Sequence, residues 1–132
     1  MTKQLRALIT GIAGFAGSHL ADELLKCGYQ IYGTIVPNGP LDNIRHIEDR
    51  LSLHEVDLRD AQAVKAFIAQ VQPDHIYHLA ARAAVGASFQ NPGGTLIDNM
   101  VMQLNILQAT VELGHSPRIL VIGSSDEYGS VR

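Results

Sequence analysis

Cysteine is scarce in this chain and long apolar runs are absent, and each of these two features excludes a class of protein. The sequence has 132 residues, one cysteine and no tryptophan. A single Cys27 cannot form an internal disulfide, which fits a reducing compartment such as the cytoplasm, and we expect it to be a small core residue of a helix. No apolar run approaches the roughly 18–20 residues of a membrane-spanning helix, so neither an anchor nor a membrane partner is predicted.

Charge is low and evenly mixed along the chain. The 10 basic residues oppose 13 acidic ones, the formal net charge is −3, and no basic block occurs, so we predict no nucleic-acid partner. The 6 histidines are scattered, and His75 and His78 would point to opposite faces of a strand, so we predict no metal site. A small molecule is the expected partner.

Short apolar runs alternate with longer helical patterns from one end of the chain to the other. Strands are predicted at residues 5–10, 30–35, 51–55, 75–78 and 118–123, and helices at 15–27, 61–70 and 93–113. Such alternation favours parallel strands joined by right-handed crossovers. We predict one α/β domain over residues 1–132, a doubly wound sheet of about five strands in the order 3-2-1-4-5 with helices on both faces.

Three glycines span the junction between the first predicted strand and the first predicted helix. Gly11, Gly14 and Gly17 could form a plain flexible loop, but their position favours a turn that lets a pyrophosphate approach bare backbone at a helix N-terminus. The residues involved would be Gly11, Ile12, Ala13, Gly14, Phe15, Ala16 and Gly17. The sequence therefore predicts a dinucleotide-binding turn.

Three further segments follow predicted strands and should meet the glycine turn at the carboxyl edge of the sheet, where ligands bind in such folds. They are residues 34–38, 78–85 and 123–129. With Asp57-Leu58, His78-Leu79-Ala80-Ala81 and the run Ser124-Ser125-Asp126-Glu127-Tyr128-Gly129 in these positions, the chain resembles the extended short-chain dehydrogenase/reductases that act on nucleotide sugars. Residues 43–46 and 53–60 make it most similar to the GDP-mannose 4,6-dehydratases and the related GDP-4-keto-6-deoxymannose reductases.

The resemblance implies a Rossmann fold that binds NADP or NAD, and it assigns roles to particular residues. It places Asp57, with Leu58, against the adenine, although Asp57 could instead be a helix N-cap, for which Asp60 is better placed. Leu79, Ala80 and Ala81 would lie against the cofactor, or would simply pack tightly at a strand end. Asn99 matches an Asn of the family and is grouped with the cofactor site.

Two residues near the end of the sequence carry the catalytic interpretation. By the resemblance, Ser124 donates a hydrogen bond to the substrate oxygen, and Asp126 stands where the dehydratases have a Glu that abstracts the sugar C5 proton. Ser124 could also be an ordinary turn serine. The family's Tyr and Lys pair, four residues apart, is absent, and we expect it to lie beyond Arg132 in a longer protein.

The end of the second strand leaves the choice between NAD and NADP open. Residues 34–37 contain neither an acid for the ribose hydroxyls nor an Arg for a 2′-phosphate. Arg45 could reach a phosphate or could be a solvated surface residue.

The resemblance implies a nucleotide-sugar enzyme with a GDP-linked substrate, in which C4 is oxidised, water is lost across C5 and C6, and the hydride is returned. A UDP-sugar 4-epimerase is the alternative, since it needs Ser124 but no carboxylate at Asp126. A non-catalytic dinucleotide-binding module is the alternative of another class. We expect the full-length protein to be a homo-oligomer and these 132 residues alone to be inactive.

Overall fold

The computed structural model describes residues 3–80 and 92–121, which form a parallel sheet with helices against it. The strands are β1 (Arg6–Thr10), β2 (Gln30–Ile35), β3 (Ser52–Glu55), β4 (His75–His78) and β5 (Arg118–Val121). The helices are α1 (Phe15–Lys26), a 3₁₀ helix (Asp42–Arg50), α2 (Ala61–Val71) and α3 (Pro92–Glu112). The predicted strands and helices are confirmed within a residue or two, except that residues 122–123 of the fifth strand lie outside the described part.

All strand pairs are parallel, and their order is β3-β2-β1-β4-β5. This is the predicted order. In the central strand β1, Ala7, Leu8, Ile9 and Thr10 are almost completely buried, as expected for a strand covered on both faces. The register sets Thr10 of β1 beside Thr34 of β2 and beside the last residue of β4. Polar side chains from three strands therefore meet at one height, at the carboxyl edge of the sheet.

Successive side chains of β1 enter two separate cores, because neighbouring residues of a strand point to opposite faces. Leu8 packs with residues of α2 and α3, among them Val64, Phe67, Ile68 and Ile106. Ala7 and Ile9 pack on the other face with residues of α1 and of the 3₁₀ helix, among them Ala21, Leu24, Ile44 and Ile47. The expected doubly wound α/β arrangement is thus the observed one.

Two features differ from the sequence prediction. Cys27 was expected in the core but is exposed, because α1 ends at Lys26 and the chain turns at Gly28, whose φ is +84°, toward β2. The 3₁₀ helix was not predicted. Its two buried residues, Ile44 and Ile47, lie three apart, which is the 3₁₀ period.

Candidate functional site

The turn after β1 is fastened to the end of β2. The amide of Gly11 donates to Thr34 Oγ1 at 3.2 Å, and the amide of Ile12 donates to the carbonyl oxygen of Thr34 at 3.3 Å. Within the turn, the amide of Gly14 donates to the carbonyl oxygen of Gly11 at 3.1 Å. The turn thus has a defined shape at the carboxyl edge of the sheet.

The three glycines of this turn have different structural requirements. A Cβ on Gly17 would lie 2.5 Å from the carbonyl oxygen of Gly11 and 2.8 Å from Cα of Ile12, so any side chain there would overlap backbone. Gly11 has φ +68°, and a Cβ on it would lie 3.0 Å from Cα of Ala80. Gly14 is exposed, and a Cβ on it would meet only the Gly11 carbonyl oxygen, at 3.3 Å. The fold requires the first and third glycines, whereas Gly14 mainly leaves the outer surface of the turn bare.

The N-termini of α1 and α2 differ in a way that favours an anion at α1. The first N–H groups of a helix have no acceptor within it. In α2, the Asp60 side chain fills this role by accepting from the amides of Gln62 and Ala63 at 3.1 and 3.2 Å. Within the described part of the chain, no side chain caps α1, and its first turn has no acidic residue. The positive end of the α1 dipole is therefore available to a phosphate.

The other residues of the glycine turn present backbone rather than polar side chains. Ile12 is fully buried in the core beside α1, so only its backbone can face a ligand. Ala13 is half-buried and Ala16 is exposed. Phe15 is 77% exposed and makes an edge-to-face contact with His19, with ring centroids 4.6 Å apart. A ligand at this turn would meet amides, small side chains and one aromatic ring.

The opposite wall of the site is the end of β4, which is tied to β1 by the Thr10 side chain. Thr10 Oγ1 accepts from the amides of Leu79 and Ala80, each at 3.0 Å, and lies 2.8 Å from Nδ1 of His78. Thr10 is completely buried and His78 is 7% exposed. Burial lowers the pKa of His78. Thr10 was not predicted as a site residue, because its only signal in the sequence is a polar residue at the end of a buried strand.

After β3, Asp57 holds an ion pair with Arg59. One carboxylate oxygen of Asp57 accepts from the Arg59 amide at 3.0 Å and from Arg59 Nε at 3.1 Å, and the other accepts from Nη2 at 3.2 Å. These hydrogen bonds hold the pKa of Asp57 below its usual range. Asp60, not Asp57, is the N-cap of α2, so the N-cap alternative for Asp57 is wrong. Asp57 remains an exposed carboxylate at the carboxyl edge of the sheet.

The loop that contains Asp57 and Leu58 is hydrogen-bonded to α3. Leu58 is buried, and its carbonyl oxygen accepts from Nδ2 of Asn105 at 2.9 Å. Asn105 was not predicted, because a lone Asn inside a helix gives no sequence signal of the loop that it contacts. This hydrogen bond fixes the position of the loop relative to α3.

The 3₁₀ helix is fastened both to the glycine turn and to α1. Asn43 Nδ2 donates to the carbonyl oxygen of Ala13 at 3.0 Å, and His46 Nε2 lies 2.9 Å from a carboxylate oxygen of Asp22. The sequence predicts no role for Asn43, which belongs only to the family motif at residues 43–46. Arg45 pairs with Asp42 at 3.5 Å, and both side chains are exposed, so this geometry matches the solvated alternative.

Several predicted residues cannot be placed in this site. Ala81, Ser124 and Asp126 lie outside the described residues. Asn99 lies on α3 and is half-buried. Across residues 3–80 and 92–121, no group of three or more His, Cys, Asp or Glu is arranged to hold a metal ion, and no helix is long and apolar enough to cross a membrane.

The sequence and the fold both match known proteins. The GDP-mannose 4,6 dehydratase family matches residues 8–132. GDP-mannose 4,6 dehydratase 2 of Arabidopsis thaliana is 35% identical over 138 residues, covering 94% of this chain and 37% of the relative. The present chain therefore spans less than two fifths of that relative's length.

Two solved structures have the same fold over most of this chain. A Burkholderia cenocepacia protein described as a candidate epimerase superimposes with a TM-score of 0.81 and 36% identity, covering 95% of this chain and 39% of that one. UDP-glucose 4-epimerase of Thermus thermophilus, solved in complex with NAD, gives a TM-score of 0.73 and 32% identity over 85% of this chain and 35% of that one. The glycine turn, the strand order and the match over residues 8–132 lead to one conclusion: this chain belongs to the GDP-mannose 4,6-dehydratase family.

Proposed function

We propose that this chain is the dinucleotide-binding domain of a GDP-mannose 4,6-dehydratase, a cytoplasmic lyase that uses NADP or NAD. The observation that carries the proposal is the uncapped N-terminus of α1 directly after a bare glycine turn. Family membership and the name of the Arabidopsis relative support the substrate class. The related GDP-4-keto-6-deoxymannose reductase would use the same coenzyme site.

The residues present fit a dinucleotide. The backbone from Gly11 to Gly17 would hold the pyrophosphate, since it includes the N-terminus of α1, which has no side-chain cap, and carries no acidic side chain. Asp57 and Leu58 would lie against the adenine, and Leu79, Ala80, Ala81 and Asn99 would complete the site. The bound coenzyme supplies reversible oxidation at C4 of the sugar. Thr34 is already held by Gly11, so its hydroxyl gives no clear choice between NAD and NADP.

We assign the acid–base work to two residues of the last segment. Ser124 would donate a hydrogen bond to the sugar oxygen at C4, and Asp126 would accept the C5 proton and return a proton as water leaves C6. Asp is shorter than Glu by about one C–C bond, ~1.5 Å, and a misplacement of that order costs up to about 100-fold in rate. Asp126 must therefore be brought closer to the sugar than a Glu would need to be.

UDP-sugar 4-epimerase is the second candidate. It is favoured by the fold match to the Thermus thermophilus UDP-glucose 4-epimerase. An epimerase would need Ser124 but no carboxylate at Asp126. Incubating the whole protein with GDP-mannose and with UDP-glucose separates the two, because only the dehydratase forms a 4-keto-6-deoxy sugar.

We propose that the full-length protein self-associates through one face of α3. An exposed apolar stripe with spacings of three and four residues, typical of helix–helix seams, supports this. The stripe consists of Ile97, Met100, Leu104, Leu107 and Val111, which are 38–78% exposed. Sedimentation of the wild type and of Leu104→Gln tests it: a shift toward monomer is expected, and equal sedimentation would contradict it.

The coenzyme site is tested with Gly14→Ala. The φ of Gly14, −73°, suits alanine, and the new methyl would meet only the Gly11 carbonyl oxygen. The free energy of unfolding should therefore change by no more than about 1 kcal/mol. The methyl would stand in front of the α1 N-terminus and should weaken binding of NADP and NAD by at least about tenfold, or ~1.4 kcal/mol, in calorimetric titration. Gly28→Ala, at the other end of α1, is the control: alanine at its φ of +84° costs stability, but the methyl lies away from the glycine turn, so the affinity should not change. Unchanged affinity in Gly14→Ala would refute the site.

A further inference from the structure

The hydroxyl of Thr10 joins the ends of the two central strands. Thr10 and His78 face each other in the register of β1 and β4. One oxygen atom contacts three groups of β4 and its continuation: the amides of Leu79 and Ala80 and the Nδ1 atom of His78, at 3.0, 3.0 and 2.8 Å. All of this lies in the interior, since Thr10 is completely buried and His78 almost so.

The number of protons at this oxygen fixes the state of His78. A hydroxyl has two lone pairs and one proton. The amides of Leu79 and Ala80 use both lone pairs, so only the O–H of Thr10 remains to bond Nδ1 of His78. Nδ1 must then be the acceptor, and the ring must be neutral with its proton on Nε2. If Nδ1 gained a proton, the oxygen would face three donors, and one hydrogen bond would have to break.

The groups held by this oxygen form the wall opposite the glycine turn. A Cβ on Gly11 would lie 3.0 Å from Cα and 3.1 Å from the amide nitrogen of Ala80, so the two backbones already touch. A shift of Ala80 must therefore displace Gly11 or open a gap beside it. The hydrogen bonds of Thr10 thus hold Ala80 against Gly11 at one edge of the proposed dinucleotide site.

We propose that Thr10 and His78 form a positioning pair for the dinucleotide site, in which neutral His78 orients the Thr10 hydroxyl and protonated His78 releases residues 79–80. The identification of the ligand as a dinucleotide rests on the proposed function. The pairing itself rests on the hydrogen bonds alone.

Among the described residues, no charged group near His78 accounts for a change in its protonation. The flanking strands bring Thr10 and Val121 beside it, and neither titrates. Within the described ranges, burial is the cause of its lowered pKa. The ionisable groups on other elements over this face of the sheet are engaged elsewhere: His54 with Ser52, Arg59 with Asp57 and Asp98, and Lys65 with Glu112.

The expected pH effect has a definite sign. His78 has a folded-state pKa below its ordinary value of about 6.5, so the unfolded chain binds the proton more readily. The pair is intact at pH 7.5 and is lost as pH falls below about 6.5 toward the lowered pKa. Dinucleotide affinity should fall in the same direction, by at most about tenfold per pH unit below the pKa of His78.

Nuclear magnetic resonance of the ligand-free protein tests the pair directly. At pH 7.5, the ring nitrogens of His78 should show an unprotonated Nδ1 and a protonated Nε2. The amides of Leu79 and Ala80 should exchange with solvent at least about tenfold faster in Thr10→Val than in the wild type, whereas Thr10→Ser, which keeps the hydroxyl, should restore slow exchange. A protonated Nδ1, or equal exchange in wild type and Thr10→Val, would overturn the proposal.

Calorimetric titration with NAD between pH 7.5 and 5 then tests the link to the ligand. The wild-type dissociation constant should rise toward low pH, and His78→Asn, which offers an acceptor that does not titrate, should lose that dependence. Retention of the wild-type pH profile in His78→Asn would refute the role of His78. If the wild type bound no dinucleotide at any pH, the proposed function would fail while the ring and exchange measurements still decided the pair.

Discussion

Replacing Gly33 with alanine would force a methyl group into the Ile12 side chain. The new Cβ would lie 2.5 Å from Cγ2, 2.7 Å from Cδ1 and 2.8 Å from Cβ of Ile12. Ile12 cannot easily move away, because it is fully buried and its amide is hydrogen-bonded to the carbonyl oxygen of Thr34. Overpacking of this kind costs about 1–3 kcal/mol.

Shortening the neighbour should relieve much of that cost. Ile12→Ala alone removes a buried side chain and should destabilise the fold by about 2–5 kcal/mol. In the double variant, the methyl group added by Gly33→Ala would occupy part of the vacated space, and two of the three close contacts would disappear. We therefore expect the double variant to be more stable than the sum of the single effects predicts, by about 1–3 kcal/mol.

Urea denaturation followed by circular dichroism measures all four proteins of this cycle. The matched control pairs Ile12→Ala with Gly28→Ala, which is strained by its φ of +84° but places a Cβ with nothing within 4 Å, so its cost does not depend on Ile12. That control should be additive within about 0.5 kcal/mol. If the Gly33 cycle were additive to the same degree, the contact between β2 and the glycine turn would not be as tight as described.

Three further predictions concern the rest of the sheet and its helices. Asp60→Ala removes the N-cap of α2 and should lower the free energy of unfolding in urea by about 1 kcal/mol; no change would show that the cap is dispensable. Gln72→Gly should raise the free energy of unfolding by about 0.5–1 kcal/mol, because Gln72 ends α2 in the left-handed region with φ +48°. A destabilised variant would contradict this reasoning. The hydrogen bond from the Arg6 amide lowers the pKa of Asp74. The stabilisation from this hydrogen bond is therefore present above the ordinary pKa of an aspartate, about 4, and is lost as pH falls below that value. Thermal unfolding midpoints should consequently fall less steeply below pH 4 in Asp74→Asn than in the wild type, and parallel curves would refute the assignment.

The sheet could be predicted from the sequence because its signals are local. Each strand is a short apolar run between turn residues, and alternation with helices restricts the sheet to few topologies. The glycine turn could be predicted for the same reason, since Gly11, Gly14 and Gly17 lie directly between β1 and the body of α1. That these residues bind a ligand stays a prediction.

Features that depend on contacts between distant residues could not be predicted. The hydrogen bonds of Thr10 join residues 68 to 70 positions apart and exist only once β1 and β4 are in register. The bond from Asn105 to Leu58 depends in the same way on how α3 lies over the loop after β3. Cys27 was misplaced because helical periodicity continues to it, whereas the packing of α1 on the sheet stops one turn earlier.

The 3₁₀ helix has a practical consequence for changing coenzyme preference. Asn43 and His46 hold this segment to the glycine turn and to α1, while Ile35 belongs to the sheet. Residues 36–41 are thus a short bridge whose two ends rest on the same rigid scaffold, and residues 36–38 are exposed. We therefore expect that an acidic residue for a ribose hydroxyl, or an arginine for a 2′-phosphate, can be introduced within this bridge without altering the glycine turn that is proposed to bind the pyrophosphate.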